Sequence, residues 1–236
     1  MHALLLAAGV GSRLRPITDT TPKCLVPIHG RPLLDYWFDL LLGTHAIERV
    51  LLNTHYLAHQ VHRHVEGSRW QSRVDLVHEA ELLGTGGTLL ANRDYFGSSD
   101  FLIAHADNLT DFDPHWLITQ HRARMPNVVM TMLAFRTDDP SSCGILECDA
   151  DGIVQAFHEK VPDPPGNLAN GAVYVVTPEI ATHAASLGRP IIDLSTEVIP
   201  HFLGRILAVE TSGYHRDIGN PESLQRAHEE FHPSRP

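Results

Sequence analysis

With 236 residues, 43% of them hydrophobic, the chain is long enough to bury an α/β core, and one folded unit over 1–236 is expected. A formal net charge of −10 with only 19% charged residues leaves no global cationic field, which argues against a nucleic acid polymer or an anionic membrane as partner and makes any anion site local. Cys24, Cys143 and Cys148 show no C-x-x-C spacing, which argues against a disulfide framework and a zinc site, and no apolar stretch reaches the roughly 18 residues of a membrane span; a reducing, cytoplasmic setting fits.

Apolar runs of strand length alternate with amphipathic stretches of helix length, the pattern of a layered sheet covered by helices. In chain order, His2–Leu6 is a strand, Pro32–Leu42 a helix opened by proline, Arg49–Asn53 a strand, Leu57–Val65 a helix and Val74–His78 a strand. His55, His59, His62 and His64 crowd the second helical stretch without a clean ligand triad, so they are taken as solvated helix-face residues. "GTGGTLLAN" (84–92) reads as a glycine turn entering a short helix, followed by a strand at Phe101–Ala104 and a helix at Pro114–Arg124. From Val128 the pattern shifts to short strands around turns: Val128–Phe135, Gly144–Cys148, Ile153–His158 and Ala172–Val176, an antiparallel or mixed extension. Pro178–Ser186 and Leu194–Phe202 read as helical, Ile206–Glu210 as a strand and Pro221–Phe231 as a closing helix whose tail "HPSRP" is expected to fray.

The first loop carries the chemistry. Gly9 and Gly11, directly after a buried strand, let the backbone curl with its N–H groups inward, a nest suited to phosphate oxygens. A dinucleotide fingerprint fails, because Leu14 stands where a third glycine belongs and Pro16 would interrupt the following helix; a P-loop fails for want of Gly-Lys-Ser/Thr. Arg13, Arg15 and Lys23 around one nest imply a polyphosphate ligand.

"LAAGVGSRLRPITDTTPKCLVPI" (6–28) resembles the signature loop of the sugar-1-phosphate nucleotidyltransferases. Segments in that family's order follow: "EAELLGTGGTL" (79–89), "HADNL" (105–109), "CGIL" (143–146), "FHEKV" (157–161), "NGAVYVV" (170–176) and "HRDIGNPESL" (215–224). The resemblance implies a Rossmann-like three-layer α/β/α fold with a mixed, mainly parallel central sheet. It also implies attack of a sugar 1-phosphate on the α-phosphorus of a nucleoside triphosphate, with Mg²⁺ as cofactor. By the same resemblance Leu6, Ala8, Gly9, Gly11, Ser12, Arg13, Glu79, Gly84, Thr85 and Asp107 contact the nucleotide. Asn108, Gly144, Glu159, Lys160 and Asn170 contact the sugar phosphate, Asp107 and Asp217 hold the metal, and Arg13, Lys23 and Lys160 clamp phosphates. Homodimers are common in the family. The chain ends soon after "DIGNPESL", so a bare catalytic domain without a C-terminal β-helix is expected.

Each residue also has an ordinary structural use. Asp107 could end a strand, Asp217 could cap the last helix through Asn220, and Glu159 and Lys160 could form a surface ion pair. Gly84 and Gly86 could serve helix entry, although close backbone approach to a flat base is the favoured reading. For the base, Glu79 can only accept hydrogen bonds, and guanine offers two adjacent donors, N1–H and the 2-amino group. GTP is therefore the expected donor. Likeness to the guanylyltransferase branch points to a manno-heptose or mannose 1-phosphate as acceptor. A uridylyltransferase of amino-sugar 1-phosphates is the alternative within the family; outside it stand a glycosyltransferase using Asp111–Asp113 as a D-x-D motif and a non-catalytic nucleotide-sugar sensor.

Overall fold

The computed structural model describes residues 1–232. The opening run His2–Leu6 forms β1, in which Ala3 and Leu5 enter one apolar layer while Leu4 and Leu6 enter another. A strand covered on both faces needs such a continuous apolar run, because successive side chains point to opposite faces. The remaining strands are β2 (Pro27–Ile28), β3 (Arg31–Pro32), β4 (Arg49–Thr54), β5 (Val74–His78), β6 (Phe101–His105), β7 (Asn108–Thr110), β8 (Met130–Arg136), β9 (Gly144–Cys148), β10 (Val154–Glu159), β11 (Leu168–Val176), β12 (Ile206–Glu210) and β13 (His215–Asp217). The helices are α1 (Leu33–Phe38), α2 (Ala58–Glu66), α3 (Gly84–Ala91), α4 (Arg93–Phe96), α5 (Pro114–Arg122), α6 (Glu179–Ser186) and α7 (Pro221–Glu230).

Nine strands form the main sheet, along the path β5-β4-β1-β6-β11, with β8 and β12 beyond β11 on one side and the β9–β10 hairpin beside its first half. β1, β4, β5, β6, β8, β9 and β12 share one direction and only β10 and β11 oppose it, a mixed and mainly parallel sheet. One face buries Leu33, Trp37, Val61, Leu117 and Leu224 from α1, α2, α5 and α7; the other buries Leu89, Phe96, Ile180 and Phe202 from α3, α4, α6 and the turns before β12. These three layers are the α/β/α arrangement the resemblance implied.

Register decides where the loops meet. Leu6 lies opposite both Asn53 and His105, and Asn53 opposite Val77, so β1, β4, β5 and β6 end level and discharge their loops at one edge. Clefts of open α/β sheets form outside such carboxyl ends. A separate small ladder pairs β7 with β13 and sets Asn108 opposite Asp217.

Several boundaries differ from expectation. β11 begins at Leu168, before the expected Ala172: Asn170-Gly171 reads as a turn, but the chain passes through it as an irregularity in the β8 ladder with Ala172 at φ 51°. Leu194–Phe202 is a π turn followed by a 3-10 turn rather than a regular helix, with Pro200 removing a backbone donor. The tail residues 233–236 lie outside the described residues. Among the described residues no helix is long and apolar enough to cross a membrane. Three of the four crowded histidines have local partners, His55 at the Glu79 carbonyl, His62 at Thr54 and His64 at Asp35, while His59 is exposed.

Candidate active site

At the level strand edge lies a cleft of ≈ 220 Å³. Of the expected nucleotide residues, Leu6, Ala8, Gly9, Glu79, Gly84, Thr85 and Asp107 line it, together with Lys23 and Cys24. Burial pushes the Cys24 thiol up to about 12, so it remains an uncharged wall group. The loop beyond β1 winds through 3-10 turns at Ser12–Leu14, Ile17–Asp19 and Lys23–Leu25. Gly11 sits at φ 67°, where a Cβ would press on Thr18 at 3.0 Å and on the Lys23 stem at 3.1 Å; glycine lets the loop close over the lysine. Thr18 Oγ1 fastens that closure by donating to the Gly11 carbonyl at 2.7 Å. Of the three expected cations, Arg13 and Lys23 converge on Asp217, whereas Arg15 pairs with Asp19 at 3.2 Å.

Lys23 is the centre of the arrangement. Its Nζ donates to Asp107 Oδ2 at 2.7 Å and to Asp217 Oδ1 at 3.0 Å, and Arg13 stands 3.7 Å from the other Asp217 oxygen. The Lys23 side chain is only 8% exposed, while those of Asp107 and Asp217 are 40% and 47% exposed, so the carboxylates face solvent over a buried cation. Burial lowers the ammonium's pKa, but the two carboxylates outweigh it and the net shift is upward; burial likewise raises Asp107, and Lys23 more than reverses that, holding its carboxyl below the ordinary range. Lys23 and Asp107 therefore remain charged at neutral pH. Asn220 caps α7 by accepting from the Ser223 N–H at 2.8 Å, which leaves Asp217 free of the capping use.

Glu79, nearly buried, lies on the cleft wall within a network absent from the sequence reading. Asn53 donates to its Oε1 at 2.8 Å, the Thr88 hydroxyl donates to the same oxygen at 2.6 Å, and the Leu83 N–H reaches Oε2 at 3.2 Å. Asn53 Oδ1 in turn accepts the Ala7 N–H at 2.7 Å, linking Glu79 to the first residue of the glycine loop. The glycine cluster has a different cause from the favoured one. A Cβ at Gly84 would lie 2.5 Å from the Ile192 carbonyl oxygen, at Gly86 2.7 Å from the Ile192 side chain and at Gly87 2.2 Å from the Pro190 carbonyl oxygen. Gly86 and Gly87 donate their N–H groups to Ile192, so these glycines admit the chain's own segment 190–192.

The expected sugar-phosphate residues are dispersed. Asn108 is buried and donates to the Gly171 carbonyl at 3.4 Å, while its own carbonyl accepts from Trp37 Nε1 at 2.8 Å. Gly144 packs where a Cβ would meet Phe157 at 2.5 Å and Glu159 Oε2 at 2.6 Å, and Asn170 donates to the Tyr174 hydroxyl at 2.8 Å. Glu159 and Lys160 pair at 3.3 Å, with Lys160 exposed. The D-x-D alternative loses its footing, since Phe112 is buried and Asp113 caps α5 by accepting from the His115 N–H at 2.9 Å. A larger polar cleft of ≈ 470 Å³ borders Arg13 and Asp217 on the β13 side. Sequence reasoning missed Asn53, Thr88 and His105; the last lines the same cleft with a buried Nε2 lacking a protein partner among the described residues, and burial keeps it neutral. Asn53 was signalled only by its place at a strand end, and Thr88 and His105 only by lying within motif segments.

A family model described as nucleotidyl transferase matches residues 2–233. A mannose-1-phosphate guanylyltransferase of Mycobacterium tuberculosis is 29% identical over 231 residues, covering 96% of this chain and 63% of that protein. A glucose-1-phosphate thymidylyltransferase of Streptomyces griseus is 30% identical over 226 residues, covering 93% and 63%. The crystal structure of HddC from Yersinia pseudotuberculosis complexed with GMP-PN is similar at a TM-score of 0.79 and 26% identity, covering 98% of this chain and 99% of that one. A Bacillus anthracis crystal structure at a TM-score of 0.86 and 21% identity shares the fold. The chain spans about three fifths of the length of the curated relatives it matches, 62% and 60% for two of them. With the match running through β1, the Lys23 loop and β13, the chain belongs to the nucleotidyl transferase family.

Proposed function

We propose that the chain transfers GMP from GTP to a sugar 1-phosphate, with D-glycero-α-D-manno-heptose 1-phosphate as the favoured acceptor, releasing pyrophosphate and forming a GDP-sugar for capsule or other surface polysaccharide. The observation that carries this reading is the buried Lys23 ammonium between Asp107 and Asp217, beside a cleft floored by the glycine loop. Two polyanions must meet in such a transfer, so catalysis consists chiefly of alignment and charge neutralisation. The relatives named for guanylyl transfer and the GMP-PN complex of HddC support guanine as the base.

In this mechanism the inward N–H groups around Gly9 and Gly11, with Arg13, hold the β- and γ-phosphates, and Lys23 neutralises the α-phosphate. Lys160 holds the sugar phosphate, while Glu159, Asn170, Asn108 and Gly144 orient the sugar. A phosphate oxygen of the sugar forms the new bond to the α-phosphorus as the bond to pyrophosphate breaks; no side-chain nucleophile takes part. Asp107 and Asp217 would hold Mg²⁺. Their donor set fits: both are hard oxygen ligands within reach of one Nζ, and both are open to solvent. Among the described residues no cluster of three or more histidine, cysteine, aspartate or glutamate side chains is placed to hold a metal. When bound, the ion supplies positive charge to the reacting phosphate oxygens.

Pyrophosphate release with Mg²⁺ tests the reading, crossing GTP, UTP, CTP, ATP and dTTP against manno-heptose, mannose, glucose and N-acetylmuramic acid 1-phosphates. Release greatest with GTP and the heptose phosphate is expected, and no release with any pair overturns it. A second reading, uridylyl transfer to an amino-sugar 1-phosphate such as N-acetylmuramic acid 1-phosphate, draws on one observation: the Glu79 carboxylate already accepts from Asn53, Thr88 and Leu83.

A further inference from the structure

The hydrogen-bond accounting at Glu79 determines how much of a base that residue can recognise. An ionised carboxylate has about four lone-pair positions, two on each oxygen. Oε1 accepts from Asn53 Nδ2 at 2.8 Å and from Thr88 Oγ1 at 2.6 Å, which fills it. The Thr88 hydroxyl has one proton, and the carboxylate at 2.6 Å is a shorter and more strongly charged acceptor than the Gly84 carbonyl at 3.0 Å. Oε2 accepts from the Leu83 N–H at 3.2 Å and keeps one position. Reading both guanine donors in a fork needs a free position on each oxygen, and only Oε2 has one.

The filled oxygen has a use of its own. Asn53 is held at both ends, by Glu79 on its amide nitrogen and by the Ala7 N–H at 2.7 Å on its oxygen. This chain of contacts runs from α3 through Thr88, Glu79 and Asn53 to the residue that opens the phosphate loop, crossing the floor of the cleft. The Asn53 side chain thus sets the height of the loop relative to the base wall, and Glu79 fixes Asn53.

Resting on the reading that the cleft binds a purine nucleoside triphosphate, we infer that Glu79 is a positioning residue that braces the Ala7 amide through Asn53, gives a base no more than one hydrogen bond, and leaves the 2-amino group of guanine unread by its carboxylate. Inosine triphosphate lacks that amino group and retains N1–H, so it separates the two roles.

The test measures kcat/KM for GTP and ITP in the unaltered chain, Glu79→Gln and Thr88→Val, with Kd for both nucleotides by calorimetry. A glutamine cannot match all three internal donors, so Glu79→Gln lowers kcat/KM about tenfold or more for GTP and ITP alike, with the GTP/ITP ratio unchanged within about threefold. Thr88→Val, which removes one hydroxyl and keeps the volume, gives a smaller loss with the same ratio. A GTP/ITP ratio above about tenfold in the unaltered chain that collapses in Glu79→Gln overturns the inference, because Glu79 then reads the amino group. If neither nucleotide releases pyrophosphate but both bind, the transfer reading fails and the Kd ratio decides this inference in the same way. If neither binds, both fall.

Discussion

Lys23 and Lys160 both stand beside carboxylates, but in opposite settings. The first is 8% exposed and bridges Asp107 and Asp217, residues 84 and 194 positions away in sequence; the second is 60% exposed and its ammonium pairs with the neighbouring Glu159. A buried ammonium with two anions is fixed in place by the fold and keeps its charge, whereas an exposed pair is screened and contributes little to stability. On the proposed mechanism the difference teaches where function and stability are coupled: at Lys23 they share the same contacts, and at Lys160 they separate.

The largest expected effect breaks the buried side. Lys23→Met leaves Asp107 and Asp217 facing each other without their shared cation, so turnover falls on the order of 100-fold or more and the fold loses about 1–3 kcal/mol. Steady-state pyrophosphate release and urea unfolding check the two halves; a variant with full turnover removes Lys23 from the mechanism.

A buried group away from the cleft sharpens the contrast. His121 is fully buried on α5, with Nδ1 at 2.9 Å from Thr131 Oγ1, Nε2 at 3.2 Å from Asp100 and Arg124 nearby. Burial, aided by Arg124, pulls its pKa down to about 4 against the opposing pull of Asp100. The native ring therefore stays neutral while the unfolded chain takes up a proton near pH 6.5. Its contribution is complete above that value and declines as pH falls toward 4, by about 2 kcal/mol at pH 5. Urea midpoints at pH 7 and pH 5 should converge in His121→Gln relative to the unaltered chain, with GTP turnover at pH 7 unaffected. An unchanged pH slope would exclude His121 as the source.

On the exposed side, Lys160 sits at φ 51°, a region that costs any residue but glycine about 1 kcal/mol. Lys160→Gly should therefore leave stability unchanged or slightly raised while KM for the sugar phosphate rises about tenfold. A rise in the nucleotide KM instead would put Lys160 on the other substrate. The smallest effect is at Asp113→Ala, which removes the α5 cap at a cost of about 1 kcal/mol and leaves turnover unchanged. Lost turnover there would revive the D-x-D reading.

Four five-residue strands were legible to their boundaries because their causes are local. His2–Leu6, Val74–His78, Gly144–Cys148 and Ile206–Glu210 have the boundaries read from apolar runs between turn residues. The two- and three-residue strands were not, because β2, β3, β7 and β13 are too short to show a period. The glycines of α3 were visible as glycines, but the segment that needs their space lies about 100 residues further on, at Pro190 and Ile192.

The sequence by itself determined the alternation of covered strands and helices, the loop glycines at one strand edge and the presence of Lys23, Asp107 and Asp217 in motif segments. Only the tertiary structure decided that these three share contacts, through the β7–β13 ladder that sets Asn108 opposite Asp217. It also decided that Glu79 is tied to Asn53 and Thr88. The reason is physical: periodicity and turn chemistry act over a few residues, whereas a three-residue ladder closing more than 100 residues of chain is selected by the packing of the whole sheet.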